Sequence, residues 1–336
     1  MKPFVSVVIP MRNEAGWIKR CLQTVRSQDY PADRFEILVA DGHSDDGSAE
    51  LLRSLAEEDP RLKVLDNPAC IVPSGLNLAI RHSGGEIIAR VDAHTTLETD
   101  YISRGVELLA STGAQNVGGP MVAVGGGEVG DAVAAAMGSR FGIGAEFHFA
   151  RGEQEADTVY MGMWPRSVFE DVGLFDEDLV RNQDDELNYR IRKSGGRILL
   201  SSRMRSKYQN RQSWSGLVRQ FFQYGLWKVR VLQKHPRQMS LRHFIPPAYD
   251  LGLVLALALA PWSPLAATVA LVAVAVYAVV IASVVTFKGK GLAGRVRLFA
   301  AFAVIHHAWA MGFLVGLVRF AGRWGHGGKA PGLDRT

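Results

Sequence analysis

Four polar clusters in the first 190 positions have the composition of a site rather than of a solvated surface. Asp92-Ala93-His94 sets a carboxylate and an imidazole two residues apart, at a strand-to-loop junction where both can turn toward one ion. A divalent cation there would neutralise two phosphates and stabilise a departing nucleotide. Imidazole is the softer ligand, which favours Mn²⁺ somewhat over Mg²⁺. Asp41 with Ser44–Asp46 offers a carboxylate suited to a ribose hydroxyl or a base edge, and Arg12-Asn13-Glu14 is a further polar group at a strand end. The fourth cluster, Asn182-Gln183-Asp184-Asp185-Glu186, could supply the base that group transfer to a hydroxyl requires. Its acids also complement a helix dipole. Three in a row exceed what capping needs, so at least one is assigned a functional role.

These clusters need a scaffold that brings them together. Phe4–Pro10 and Phe35–Ala40 read as buried strands, and Leu62–Leu65 and Glu86–Val91 as a third and a fourth strand. Between them Glu14–Ser27, Ser48–Glu58 and Ser74–Ser83 show helical spacing. Alternation of this kind predicts an α/β fold with a largely parallel, doubly covered sheet. Ligands collect at the carboxyl ends of such strands, and three of the polar clusters sit there. The stretch Gly118–Gly130 is glycine-rich without a strand-turn-helix frame, and is expected to be a mobile loop beside the site. No G-x-G-x-x-G follows the first strand, which argues against a nicotinamide oxidoreductase.

The 336 residues divide into two solvent regimes. Residues 1–240 hold nearly all the acidic groups and read as a water-soluble domain, whereas 241–322 are dominated by Leu, Ala, Val, Gly and Phe. Membrane helices are expected at about 245–261, 264–287 and 298–320, with 323–336 as a tail. The third of these is expected either to cross or to be re-entrant. Ser213–Leu232 carries apolar Leu217, Phe221, Tyr224 and Val231 beside basic Arg219, Lys228 and Arg230. An interfacial helix at about 213–233 is expected there, and the same pattern also fits an ordinary packed helix. The N-terminus starts directly on a strand pattern, without the apolar core of a signal peptide. Lys288, Lys290, Arg295 and Arg297 form a basic linker that belongs on the cytoplasmic side. The expected location is therefore the plasma (inner) membrane, multi-pass, with the soluble domain cytoplasmic. The net charge of +5 invites a nucleic-acid partner, but much of the excess lies near the apolar segments and suits anionic lipid instead. Cys21 and Cys70 are expected to be separate thiols in a domain that needs no staple.

The segments VSVVIPMRNE, ILVADGHSDDGS, ARVDAHT and GLFDEDLVRNQDDELNYRIRKSG, in this order, resemble the signatures of inverting family-2 glycosyltransferases with a GT-A fold. The resemblance spans roughly residues 3–235. The membrane tail and the DAH and QDDELNYR variants are most similar to bacterial polysaccharide-assembly transferases of the succinoglycan glucosyltransferase type. It implies an inverting, metal-dependent hexosyltransferase using Mn²⁺ or Mg²⁺. The implied donor is a nucleotide sugar, a UDP-sugar above all, and the acceptor a polyprenyl-linked glycan, with no nucleic acid involved. A polyprenyl-phosphate glycosyltransferase is the alternative enzyme, and a non-catalytic membrane scaffold the alternative of another class. Oligomeric state is not indicated.

Carried over by position, the resemblance puts Pro10, Arg12, Asn13 and Glu14 along the nucleotide and Asp41 on the uracil side. Asp92 would lie against ribose and diphosphate, and Asp92 with His94 would hold the metal. The family's usual triplet is D-x-D, so His94 is a departure. Aligning Glu186-Leu187 with the family's acid and Leu makes Asp184 the base, with Asp185 as its rival. Gln220, Gln223 and Tyr224 complete the implied nucleotide-sugar set. They lie where processive members carry Q-x-x-R-W, and the missing Arg-Trp implies single additions.

Overall fold

The computed structural model describes residues 1–142, 152–289, 291–325 and 332–333. It divides into two compact units, one comprising 1–122, 145–209 and 328–336, the other 123–144 and 210–327.

The first unit is built on an eight-stranded sheet. β1 (Val5–Met11), β2 (Phe35–Asp41) and β3 (Leu62–Asp66) run parallel, and β4 (Ile87–Arg90) pairs parallel to β1 on its other side. β9 (Tyr160–Pro165) then runs antiparallel to both β4 and β6 (Asn116–Gly119), and β10 (Ile198–Ser201) is parallel to β6. The edge strand β8 (Glu153–Glu155) is antiparallel to β10. The spatial order is β3-β2-β1-β4-β9-β6-β10-β8. β5 (Thr95–Leu97) pairs antiparallel with β11 (Ser206–Gln209), beside β7 (Met121–Val124), in a small second sheet.

The β1 and β2 side chains are buried on both faces, which is why these strands read as apolar runs rather than as alternation. α1 (Ile18–Arg26) buries Ile18, Cys21, Leu22 and Val25, the i, i+3, i+4, i+7 stripe that defines a packed helix. α2 (Ser48–Glu58) and α3 (Val72–His82) follow the next two strands, and α4 (Tyr101–Thr112) follows β5. Trp164, Phe169 and Phe175 meet edge-on or tilted at centroid separations of 5.6–6.1 Å in the core. They seat α6 (Ser167–Val172) and the turn that leads into α7 (Gln183–Lys193). Buried Asn188 of α7 accepts a bond from Asn116 Nδ2 at 2.7 Å and donates to Thr158 Oγ1 at 2.7 Å. That tie fixes the helix on the sheet. Both cysteines are free thiols, Cys21 buried and Cys70 half-buried.

The glycine-rich stretch corrects the expectation of a mobile loop. Residues 118–130 contribute to β6 and β7 and open α5 (Gly127–Met137). A Cβ on Gly119 would lie 1.6 Å from the Met204 carbonyl oxygen, and one on Gly118 would lie 2.8 Å from the Val159 side chain. Glycine occurs here because other chain segments approach closely, not because the chain moves.

The second unit is helical. α8 (Trp214–Lys234), capped by the Ser213 hydroxyl, joins α9 (Ile245–Leu259), α10 (Pro264–Lys288) and α11 (Gly291–Arg319). α8 and α11 approach through glycines: a Cβ on Gly225 would meet the Trp309 carbonyl oxygen at 1.9 Å, and one on Gly312 would meet that of Phe222 at 2.0 Å. α10 and α11 are long and apolar enough to cross a membrane. At 1.5 Å per residue α9, with 15 residues, reaches about 22 Å, short of a hydrocarbon core of about 30 Å. Arg295 and Arg297, expected in a linker, lie in the opening turns of α11. Polar side chains tie these helices: His307 Nδ1 is 2.7 Å from Asp250 Oδ1, and the Tyr277 hydroxyl is 3.0 Å from His306 Nδ1.

Candidate active site

The residues singled out at the ends of β1, β2 and β4 converge, because parallel neighbouring strands deliver their carboxyl ends to one edge. After β1 the chain turns through Asn13, whose φ of 57° is a left-handed conformation that Asn tolerates. The Asn13 amide donates to Ser44 Oγ at 2.9 Å, and Ser44 Oγ donates to Asp41 Oδ1 at 2.6 Å. Asp45 N donates to Asn13 Oδ1 at 3.0 Å, and Ala15 N to Asp46 Oδ2 at 3.0 Å. Asn13 and Asp41 therefore belong to one hydrogen-bonded rim. Pro10 lies beside it, paired in register with Ala40, the residue before Asp41. Arg12 is exposed.

β4 ends at Arg90, two residues before Asp92. Arg90 Nε donates to Asp92 Oδ1 at 2.9 Å. Burial alone would raise the Asp92 pKa, but the Arg90 guanidinium, His94 and the Tyr160 hydroxyl outweigh it and hold the carboxyl below the usual range. For Arg90, burial opposes the charge while Asp92 and Asp184 restore it, and the net direction is up. Tyr160 in turn shares a 2.6 Å hydrogen bond with Thr95 Oγ1, and burial next to Asp92 pushes its phenol well above its ordinary value. Cys21, buried beneath the site with its thiol 3.7 Å from the Asp92 carbonyl oxygen, is also pushed up by burial, which leaves it an unreactive thiol.

His94 Nδ1 lies 2.9 Å from Glu14 Oε1, and the ring meets Tyr208 edge-on at 5.1 Å. With Nδ1–H donated to Glu14, Nε2 is the nitrogen left to engage a ligand. This is how a carboxylate orients a metal-binding imidazole. Asp92 and His94 Nε2 thus fit a divalent cation as one oxygen and one nitrogen donor. Among the described residues no group of three or more His, Cys, Asp or Glu side chains gathers around one point. The remaining ligands would come from diphosphate and water.

Across from β4, α7 begins at Gln183 behind Asn182, whose φ is 64°. Asp184 Oδ2 stands 3.6 Å from Arg90 Nη1, and its Oδ1 accepts the Asp185 amide at 2.9 Å. Its side chain is 36% exposed, so solvent or a substrate can reach it. Glu186 is committed elsewhere: both its oxygens receive Arg190 at 2.8 and 2.9 Å, and Arg190 also donates to the carbonyls of Gly173 and Leu174. Arg90 thus links Asp92 with Asp184, and Glu14 holds His94. Gln220, Gln223 and Tyr224 lie on α8 in the second unit, where Gln220 Nε2 donates to the Tyr224 hydroxyl at 3.1 Å.

The family model for glycosyl transferase family 2 matches residues 6–173. The succinoglycan biosynthesis protein ExoA of Rhizobium meliloti (strain 1021) is 32% identical over 323 residues, 94% of this chain and 96% of the relative. The chain belongs to glycosyltransferase family 2. This family-2 transferase also shares 26% identity, over 69% of its length and 74% of the relative's, with a Methanococcus voltae dolichyl N-acetyl-α-D-glucosaminyl phosphate 3-β-D-2,3-diacetamido-2,3-dideoxy-β-D-glucuronosyltransferase. Among solved structures it superposes on the Pyrobaculum calidifontis mannosyltransferase PcManGT, determined with GDP-Man and Mn²⁺. The TM-score there is 0.52 at 20% identity, over 96% of this chain and 87% of the other. For residues 1–349 of S. aureus TarS the TM-score is 0.52 at 16% identity, over 95% and 92%. The fold is GT-A.

Sequence reasoning passed over Arg90, Tyr160 and Tyr208. For Arg90 a signal was present, an arginine inside an otherwise apolar strand two positions before an aspartate. Tyr160 and Tyr208 carried none, because they arrive from strands distant in sequence.

Proposed function

We propose that this family-2 transferase moves one hexose at a time, with inversion, from a UDP-sugar to a polyprenyl-linked glycan in cell-surface polysaccharide assembly. The observation that carries the reading is the pair of carboxylates on one guanidinium. Asp92 closes a strand on the donor side, and Asp184 opens a helix facing it, 3.6 Å from Arg90. Asn13, Ser44 and Asp41 would border the nucleotide, with Pro10, Arg12 and Glu14 along the same edge. Asp92 and His94 would hold Mn²⁺ or Mg²⁺, which when bound neutralises diphosphate charge.

Asp184 takes the proton of the acceptor hydroxyl as its oxygen attacks the anomeric carbon from the face opposite the diphosphate. The new C–O bond forms as the bond to the departing phosphate oxygen breaks, so configuration inverts. Asp185 and Glu186 complement the helix terminus. Single addition is supported by Gln220, Gln223 and Tyr224 standing without the Arg-Trp of processive members. Placement at the cytoplasmic membrane face is supported by α10 and α11 and by the basic residues Lys288 to Arg297. The ExoA relative supports the polysaccharide assignment, and the dolichyl N-acetyl-α-D-glucosaminyl phosphate in the Methanococcus relative's name supports a lipid-linked sugar as acceptor.

The test is transfer of label from individual nucleotide sugars into a membrane lipid extract by the full chain in membranes, with and without chelator. One UDP-sugar is expected to donate, excess chelator to stop transfer, and Mn²⁺ or Mg²⁺ to restore it. Full transfer in chelator would remove the metal from the reading, and labelling from no UDP-sugar would remove the donor. In intact cells, outside thiol reagents should miss a cysteine placed at Lys207, which is exposed on the soluble unit; labelling there would reverse the topology.

A further inference from the structure

We propose that Arg90 is a positioning residue that couples the donor-side carboxylate Asp92 to the acceptor-side carboxylate Asp184. This rests on the reading of Asp184 as the base. Arg90 is 7% exposed at its side chain and is the last residue of β4, two positions before Asp92. Its Nε is committed to Asp92 at 2.9 Å. Its Nη1 is buried and makes no hydrogen bond among the described residues, and Asp184 Oδ2 lies 3.6 Å from it. That is ion-pair range, beyond hydrogen-bond length.

A buried N–H without an acceptor costs about 1–3 kcal/mol, so native sites rarely leave one unless something else completes it. A small swing of the Asp184 side chain, which is one-third exposed, would close the gap. The planar guanidinium then holds two carboxylates from different elements in one fixed geometry, a task to which Arg is suited and Lys is not. Arg90 touches neither donor nor acceptor in this arrangement. Its effect on rate runs through where Asp184 stands relative to the sugar bound at Asp92. One oxygen of the base is engaged by the Asp185 amide and the other faced by Arg90, so the carboxylate's rotation is limited before the acceptor arrives. Misplacing a reacting group by about 1 Å can cost roughly 10²-fold in rate.

The experiment is a double-mutant cycle in the full chain: Arg90→Met, Asp184→Asn and both together, with Arg90→Lys alongside. Transfer from radiolabelled UDP-hexoses into membrane lipid extract is measured at saturating donor, and UDP affinity by calorimetry. Arg90→Met is expected to slow transfer about 10- to 100-fold in the wild-type background. In the Asp184→Asn background it should cost less than about 3-fold, because the group it positions has already lost its role. Arg90→Lys, which keeps the charge without the fork, should fall between.

An Arg90→Met loss equal in both backgrounds would overturn the coupling, since the arginine would then act through Asp92 alone. No loss in the wild-type background would overturn it too. If Arg90→Met shows no folded thermal transition, Arg90→Lys takes its place in the same cycle. Should Asp184→Asn prove nearly fully active, the base assignment fails. Additive effects would then remove the coupling as well, whereas non-additive ones would retain it for a carboxylate with another role.

Discussion

Replacing Asp184 with asparagine exchanges one carboxylate oxygen for an amide nitrogen and removes one negative charge. The residue keeps its shape, and its Oδ1 can still accept the Asp185 amide, now at 2.9 Å. What it loses is basicity and the attraction of Arg90 across 3.6 Å. Coulomb's law gives that attraction as roughly 1 kcal/mol in water and about 5 kcal/mol at an effective dielectric of about 20. With the Asp184 side chain 36% exposed, the stability cost belongs near the lower figure. The lost acid at the start of α7 adds about 0.3–1 kcal/mol. A shift of a few degrees in thermal midpoint is therefore expected, with the domain still folded. The catalytic cost is of another size. Removing a positioned general base loses roughly 10²–10⁴ in rate while ground-state donor binding changes little. The assay is single-turnover transfer at saturating donor, paired with calorimetric UDP affinity and a thermal melt. Asp184→Asn should abolish most transfer at near-native UDP affinity, and Asp185→Asn should be milder. Near wild-type transfer by Asp184→Asn beside a dead Asp185→Asn would move the base by one residue. Full activity in both would refute the assignment of this cluster.

Two further outcomes follow from packing and charge in each unit. Gly225→Ala places a methyl 1.9 Å from the Trp309 carbonyl oxygen, so α8 and α11 must separate; a loss of roughly 1–3 kcal/mol is expected, read as a lowered thermal midpoint in detergent. Gly252→Ala, with nothing within 4 Å, should leave it unchanged, and equal effects would refute the close approach. Glu36 is 6% exposed within β2; burial would raise its pKa, but Lys63, the Gly84 amide and the Ser6 hydroxyl bring it below the ordinary glutamate range. A lowered folded-state pKa means stability present above the unfolded value and lost as pH falls through the folded one. Glu36→Gln should therefore destabilise by about 1–3 kcal/mol at pH 7, with the difference disappearing as pH falls through the lowered folded-state pKa; a difference independent of pH would refute the charge argument.

The sequence by itself determined the alternation of strands and helices through residue 92, because apolar runs and 3.6-residue periodicity depend on near neighbours alone. The strand β2 was expected at 35–40 and observed at 35–41, and α2 was found at 48–58 as read. It also determined that Asp41, Asp92 and His94 stand at strand ends, where a parallel sheet must bring them to one edge. The long apolar helices α10 and α11 were legible for the same local reason. Only the tertiary structure decided what these groups touch. Glu14 behind His94, Tyr160 on Asp92 and Arg90 between Asp92 and Asp184 are separated by 80, 68 and 94 positions, and no periodicity encodes a contact at that range. Gly119 shows the same limit: composition alone reads as mobility, and only the carbonyl of Met204, 85 positions beyond it, shows it to be a site of close approach. Local physics fixes which way a side chain faces along its own strand or helix. What stands opposite it depends on how distant segments pack, and that is settled by the whole chain at once.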